Sequence, residues 1–124
     1  MTVQTRLALN GPHLIVHFLA TRRWPLGDEK KLQDAIEAEL IGVGADFRRE
    51  VKLGHGSVID FMFGTIACEV KIKGSKRAIY HQCERYCSFP AVSALILATN
   101  FAMGFPAMIR GKPCWVAQLG RGWL

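Results

Sequence analysis

The segment Ile59–Lys71, which reads IDFMFGTIACEVK, decides how this chain is expected to fold. Gly64-Thr65 suits a two-residue turn, because a type II′ turn prefers glycine at its first central position. The pairing that this turn imposes sets Asp60 directly opposite Glu69. Lys71 follows Glu69 by two residues, so the two-residue period of a strand keeps it on the same face. The sequence therefore predicts a β-hairpin with two carboxylates and a lysine on one side.

The opposite side of this hairpin is predicted to carry a continuous hydrophobic set, namely Ile59, Phe61, Phe63, Ile66, Cys68, Val70 and Ile72. On the polar side, like charges directly opposite each other destabilise a sheet by about 0.2–1 kcal/mol. A hard divalent cation between Asp60 and Glu69 would turn that cost into a binding site, since Mg²⁺ takes oxygen ligands, usually one or two carboxylates. The hairpin therefore indicates a metal site.

Composition limits the class of protein. A chain of 124 residues, half of them hydrophobic, is expected to form a single domain (residues 1–124) with its own core. The net charge of +6 favours nucleic acid or an anionic membrane surface as a partner. The most apolar stretch, Ala91–Pro106, is too interrupted to cross a membrane. The four cysteines lack metal-ligand spacing, so reduced thiols in a cytoplasmic protein are expected.

Hydrophobic periodicity and helix caps predict the order of the elements. Asp28 is a good N-cap for a helix that runs to about Ile41. The run 94–99 is apolar throughout and predicts a strand buried on both faces. The remaining elements are strands at Phe47–Leu53, Val58–Phe63, Ile66–Lys73 and Cys114–Leu119, and a second helix at about Lys76–Cys87. This order predicts an α/β fold with a mixed central sheet flanked by helices.

Residues 1–27 are open to two interpretations. Residues 3–9 and 13–19 fit two short strands around the turn Asn10-Gly11-Pro12. They equally fit an N-terminal embellishment of the domain that follows.

Both helices carry polar residues that bear on function. Gln82 and Tyr86 are four residues apart and share a face of the second helix. In the first helix, Glu39 interrupts the apolar stripe formed by Leu32, Ile36 and Leu40, whereas Glu37 lies off it. A carboxylate directed inward needs a cation or a donor, so Glu39 is a candidate for the same site.

The order of these motifs resembles the PD-(D/E)XK nuclease superfamily. More narrowly, it is similar to the RecB-type and virus-type branch, which carries a Gln-Xaa-Xaa-Xaa-Tyr helix and has the VRR-NUC domains and Holliday-junction resolvases as relatives. The resemblance extends over roughly Lys30–Leu119, and Ile59 stands where the name-giving proline would be. It implies a restriction-endonuclease-like αβββαβ core, Mg²⁺ or Mn²⁺ as cofactor, and cleavage of DNA.

The resemblance also implies roles for the residues of the hairpin. Asp60 and Glu69 match the metal ligands, and Lys71 matches the catalytic lysine. The backbone carbonyl of Val70 is a candidate for a further oxygen ligand.

In the helices, Glu39 matches the first-helix carboxylate, with Glu37 as the alternative, and Gln82 and Tyr86 match the motif of the later helix as catalytic residues. The candidates for contacts with nucleic acid are Lys73, Lys76, Arg77 and Glu50.

The expected function is therefore that of a divalent-metal-dependent DNA nuclease of the phage or repair and recombination type, acting on DNA as a homo-oligomer. The alternative is a catalytically weak or inactive nuclease-fold protein that binds nucleic acid or a protein partner. In a third interpretation, the carboxylates belong to the ordinary surface of an unrelated α/β protein.

Overall fold

The computed structural model of this protein describes residues 6–120, which form an α/β structure. The elements in chain order are α1 (Pro12–Thr21), α2 (Glu29–Gly42), β1 (Arg48–Gly54), β2 (Ser57–Phe63), β3 (Ile66–Lys71), α3 (Lys76–Tyr86), β4 (Ala94–Thr99), β5 (Met108–Ile109) and β6 (Lys112–Gln118). The strands form one mixed sheet in the order β1-β2-β3-β4-β6-β5. Strands β3, β4 and β6 are parallel, and the other neighbours are antiparallel.

The β2–β3 hairpin has the predicted turn and register. Phe63 pairs with Ile66 and Phe61 pairs with Cys68. Gly64 has a φ of 61°, the positive value that a type II′ turn requires at its first central residue. The short glycine turn therefore sets which side chains of the two strands share a face.

Strand β2 changes the face of its side chains at Asp60. Phe61 packs in the cluster under α1 and α2, whereas Ile59 packs in the cluster under α3. The prediction that Ile59 continues the hydrophobic face of Phe61 is therefore wrong. Glu50 lies opposite on β1, between the pairs Arg49–Phe61 and Val51–Ile59, and has a φ of 54°. This left-handed conformation interrupts the alternation of a strand, so both strands are irregular at the same place.

Two hydrophobic layers enclose the sheet. Helices α1 and α2 cover one face, with Ile15, Phe18, Leu32 and Ile36 in their shared cluster. Helix α3 covers the other face with a second cluster. Every residue of β4 is buried, as its apolar sequence predicts, because helices lie on both sides of it.

Capping side chains fix where the two predicted helices begin. The Asp28 carboxylate accepts a hydrogen bond from the Lys31 N–H at 2.9 Å, and the Ser75 hydroxyl accepts one from the Ala78 N–H at 3.1 Å. Each satisfies one of the backbone donors that the first turn of a helix leaves free. The prediction of both helix starts is confirmed.

The two-strand interpretation of the N-terminal region is wrong, because residues 13–19 lie in helix α1. Pro12 stands in its first turn, where proline suits a helix, and Ile15, Phe18 and Leu19 are buried at helical spacing. Residues 6–10 have no regular structure, and residues 3–5 lie outside the described part of the chain.

No helix within residues 6–120 has the length and apolar character needed to span a membrane. The four cysteines are buried free thiols.

Replacing Ile15, which is fully buried on α1, should lower the free energy of unfolding. The variant Ile15→Ala is expected to lose about 2–5 kcal/mol, because it removes methyl groups from a closed core. The neighbouring control Leu14→Ala should change it by about 0.5 kcal/mol or less, since Leu14 is 47% exposed. Urea unfolding followed by circular dichroism measures both, and equal losses would contradict the helical assignment.

Candidate functional site

The predicted carboxylate pair lies where the β2–β3 ladder ends, one residue beyond the pair of Phe61 and Cys68. There each carboxyl group accepts a hydrogen bond from the backbone of the other strand. The Val70 N–H donates to Asp60 Oδ2 at 2.8 Å, and the Asp60 N–H donates to Glu69 Oε1 at 3.3 Å. Side chains thus replace the ladder and hold Asp60 and Glu69 together.

Helix α3 fixes the orientation of Glu69 through the predicted Gln82–Tyr86 pair. The Tyr86 hydroxyl donates to Glu69 Oε2 at 2.9 Å, and the Gln82 side-chain amide donates to that hydroxyl at 2.8 Å. The same hydroxyl lies 3.0 Å from the carbonyl oxygen of Val58, and its single hydrogen serves one of these acceptors at a time. Glu69 and Tyr86 are each only 2% exposed, so the hydrogen bond between them is shielded from solvent.

Burial and like charge shift the ionisation of the pair. The pKa of Glu69 is raised to about 9, first by burial, then by the negative charge of Asp60 and by a hydrogen bond between the two carboxyl groups. Burial also raises the pKa of Asp60, while the hydrogen bonds from Glu69 and from the Val70 N–H act in the opposite direction. Near neutral pH the two carboxyl groups therefore share one proton.

Lys71 is the cation of this site, and it has two acidic neighbours. Its Nζ lies 3.8 Å from Glu69 Oε2 and 3.8 Å from Glu29 Oε1. Both the Lys71 and the Glu29 side chains are 25% exposed, so the three groups line the boundary between the core and solvent. The lysine is thus held next to the carboxylate pair by a third carboxylate.

Glu29 is the acid that sequence reasoning missed. Burial raises its pKa and so does the charge of Asp60, whereas Lys71 and a hydrogen bond from the Ile72 N–H lower it. Glu29 directly follows the N-cap Asp28, and it therefore lies at the end of α2 that meets the site. The sequence signal that could have indicated Glu29 was its position in the first turn of α2, before the apolar stripe begins at Leu32.

The prediction that Glu39 points inward is wrong. Its side chain is 55% exposed and lies 3.7 Å from the Arg22 guanidinium. Ten residues of helix separate it from Glu29, about 15 Å along the axis, so it is at the far end of α2. The alternative, Glu37, contacts Arg49 at 3.2 Å and joins α2 to β1.

The other predicted residues lie around the site with different surroundings. Glu50 is 63% exposed and 3.8 Å from the Arg49 guanidinium, so an ion pair accounts for it. Lys73 is exposed just after β3, and Lys76 and Arg77 are exposed in the first turn of α3. Their contact with nucleic acid stays a prediction.

The donor set suits a hard cation only in part. Within residues 6–120, no group of three or more histidine, cysteine, aspartate or glutamate side chains is arranged to hold a metal ion. Asp60 and Glu69 nevertheless present facing carboxyl oxygens, and Mg²⁺ commonly keeps several waters beside one or two carboxylates. Two buried acids whose ionisation is opposed by burial, and in Glu69 also by the charge of Asp60, fit that mode of binding.

Comparison of the chain with protein-family models, with curated proteins and with solved structures finds no significant match.

Replacing the ionisable carboxyl group of Glu69 by an amide should stabilise the protein at alkaline pH. Between pH 4.5 and about 9 the folded state keeps a proton that the unfolded chain releases, so stability falls as the pH rises. The variant Glu69→Gln is expected to raise the free energy of unfolding at pH 8 by on the order of 1 kcal/mol or more, with little effect at pH 4.5. Thermal and urea unfolding in EDTA test this.

The control for that experiment is Glu39→Gln, which removes an exposed carboxylate from the same protein. It should show no such dependence on pH. A Glu69→Gln variant that is less stable than the parent protein at pH 8 would contradict the proton-sharing pair.

Proposed function

We propose that this protein is a divalent-metal-dependent nuclease of the PD-(D/E)XK type, which hydrolyses phosphodiester bonds in DNA. One observation carries the proposal: Asp60 and Glu69 meet where the β2–β3 ladder ends, with the Lys71 ammonium 3.8 Å from Glu69. The order of the elements, with α2 followed by three strands, α3 and β4, supports the restriction-endonuclease-like core.

Asp60 and Glu69 are the proposed ligands of Mg²⁺ or Mn²⁺, together with the carbonyl oxygen of Val70. When bound, the ion would neutralise phosphate charge and activate a water molecule. Glu69 must lose its proton for this role. Burial raises the pKa of Asp60 as well, but hydrogen bonds from Glu69 and from the Val70 N–H act in the opposite direction.

Lys71 is the proposed catalytic cation, which orients the attacking water or stabilises charge on the phosphate. A lysine is flexible and needs neighbours to fix its ammonium group. Glu29 and Glu69, each 3.8 Å away, hold Lys71 between the end of α2 and the carboxylate pair. Glu29 is therefore a positioning residue that acts through Lys71.

Gln82 and Tyr86 position Glu69 from the α3 side. The amide-to-hydroxyl-to-carboxyl chain restricts the rotamer of Glu69 and directs its Oε2 atom. Partners of this kind around a metal ligand commonly contribute 10–100-fold to metal affinity or activity. The proposal that the nuclease belongs to the RecB-type and virus-type branch rests on Gln82 and Tyr86.

Loss of Lys71 should abolish cleavage without loss of the fold. We expect the parent protein to cut labelled DNA with Mn²⁺ or Mg²⁺ and not in EDTA. The variant Lys71→Ala should cut at least about 100-fold more slowly, because it removes a cation that stabilises developing charge. A panel of linear duplex, single strand, flap and four-way junction measures the rates and identifies the preferred substrate.

The matched control is Lys52→Ala, which removes an exposed lysine of β1 that is not among the predicted contacts with nucleic acid. It should retain cleavage to within a few-fold. DNA binding without cleavage under every metal would contradict the nuclease and favour the binding-module alternative.

Glu29 and Glu39, at opposite ends of α2, should differ in their effect on cleavage. Glu29→Gln is expected to lower the rate by about 10–100-fold, because Lys71 loses one of its two acidic neighbours. Glu39→Gln should leave it unchanged, since Glu39 pairs with Arg22 at the other end of the helix. The rates are compared under saturating metal. A larger loss in Glu39→Gln than in Glu29→Gln would contradict the assigned site.

A further inference from the structure

The connection between β4 and β5 is unusually apolar for an exposed loop. Residues 100–107 read NFAMGFPA, and Phe101, Met103 and Phe105 are half-buried against the α3 cluster. The residues between them are exposed. Loops normally carry polar residues, so an aromatic loop at the surface calls for an explanation beyond chain connection.

The loop begins at the same end of the sheet as the candidate site. Thr99, the last residue of β4, pairs with Lys71 on β3. The Thr99 hydroxyl accepts a hydrogen bond from the Phe101 N–H at 3.2 Å, which fixes the start of the loop. Neighbouring parallel strands end at a common edge of the sheet, so the loop begins beside Lys71.

Helix α3 places one aromatic ring, Tyr80, and two cations, Lys76 and Arg77, next to this loop. The Tyr80 and Phe105 rings are 6.4 Å apart in an edge-to-face contact. Lys76 and Arg77 precede Tyr80 by four and three residues, so they are its neighbours on the helix surface, and both are exposed. We call these four residues, Lys76, Arg77, Tyr80 and Phe105, the aromatic shelf.

We propose that the aromatic shelf binds unpaired nucleotides of the strand that enters the site. This inference rests on the proposed function, since it takes the bound polymer to be the nuclease substrate. Single-stranded nucleic acid offers both features that the shelf complements, base faces that stack on aromatic rings and phosphates that pair with Lys76 and Arg77. Duplex bases are already stacked and cannot reach the rings. The preferred substrate class is therefore a DNA with a single-stranded segment.

A role in packing alone would make a different prediction. Phe89 is also half-buried, packs against the same cluster, and lies beyond the other end of α3, where its ring is 6.4 Å from that of His55. If Phe105 served only the core, truncating either ring would have similar consequences. Phe89→Ala is therefore the matched control for Phe105→Ala.

The test is fluorescence anisotropy of a labelled 15-mer single strand and of its duplex, in EDTA so that no cleavage occurs. The parent protein should bind the single strand more tightly than the duplex. Phe105→Ala should weaken single-strand binding by at least about fivefold, the lower bound for the loss of one base stack, and duplex binding by less than about twofold. Phe89→Ala should leave both unchanged.

A second variant keeps the test valid if Phe105→Ala folds poorly. Lys76→Gln combined with Arg77→Gln changes only exposed side chains. It should reduce the salt dependence of single-strand binding by about 1.4 in log–log slope, as expected for two phosphate contacts. The fluorescence of a single strand that carries 2-aminopurine should be quenched when it binds the parent protein, because the base stacks on the Phe105 ring. Binding to Phe105→Ala should not quench it.

Equal weakening by Phe89→Ala and Phe105→Ala, or equal loss for single strand and duplex, would overturn the shelf. Metal-dependent cleavage with unchanged single-strand binding in Phe105→Ala would also overturn it and leave the nuclease intact. The expected binding pattern without cleavage under any metal would support the shelf and contradict the nuclease.

Discussion

The proximity of two acids, Asp60 and Glu69, is the constraint on which the rest of the site depends. They meet because the β2–β3 pairing stops after Phe61 and Cys68, and each carboxyl group then bonds the backbone opposite. Such an arrangement is unfavourable without compensation, since burial and like charge both oppose ionisation. The compensation comes from three directions: the Val70 N–H, the Tyr86 hydroxyl and the Lys71 ammonium. The surrounding elements supply these groups.

The hairpin and the two later helices could be predicted because their signals are local. A glycine turn sets the register over a few residues, and an N-cap followed by an apolar stripe sets the start and the buried face of a helix. The pair Gln82 and Tyr86 could be predicted for the same reason, since four residues fix a shared face. The contact of Tyr86 with Glu69 then follows from where α3 packs on the sheet.

The acid of α2 that lies beside Lys71 could not be predicted, because the apolar stripe of a helix gives the face of a residue and not its distance from another element. The apolar stripe of α2 indicates which way Glu39 points around the axis, and even this was misleading, since the residue is exposed. The stripe says nothing about which end of the helix meets the hairpin. That depends on packing between distant segments, which placed Glu29 beside Lys71. The positive φ of Glu50 could not be predicted either, because a positive φ at a non-glycine residue has no reliable sequence signal.

The charge balance of the site is the electrostatic argument for the proposed divalent cation. Glu29, Asp60 and Glu69 together with Lys71 carry a net formal charge of −2 when all are ionised. Arg49 adds little, because Asp34 and Glu37 on α2 already neutralise it. One shared proton removes half of this charge, and a divalent ion would remove all of it. A bound metal would therefore relieve a charge imbalance that the Val70 N–H and the Tyr86 hydroxyl offset only in part. Functional sites commonly cost stability in this way.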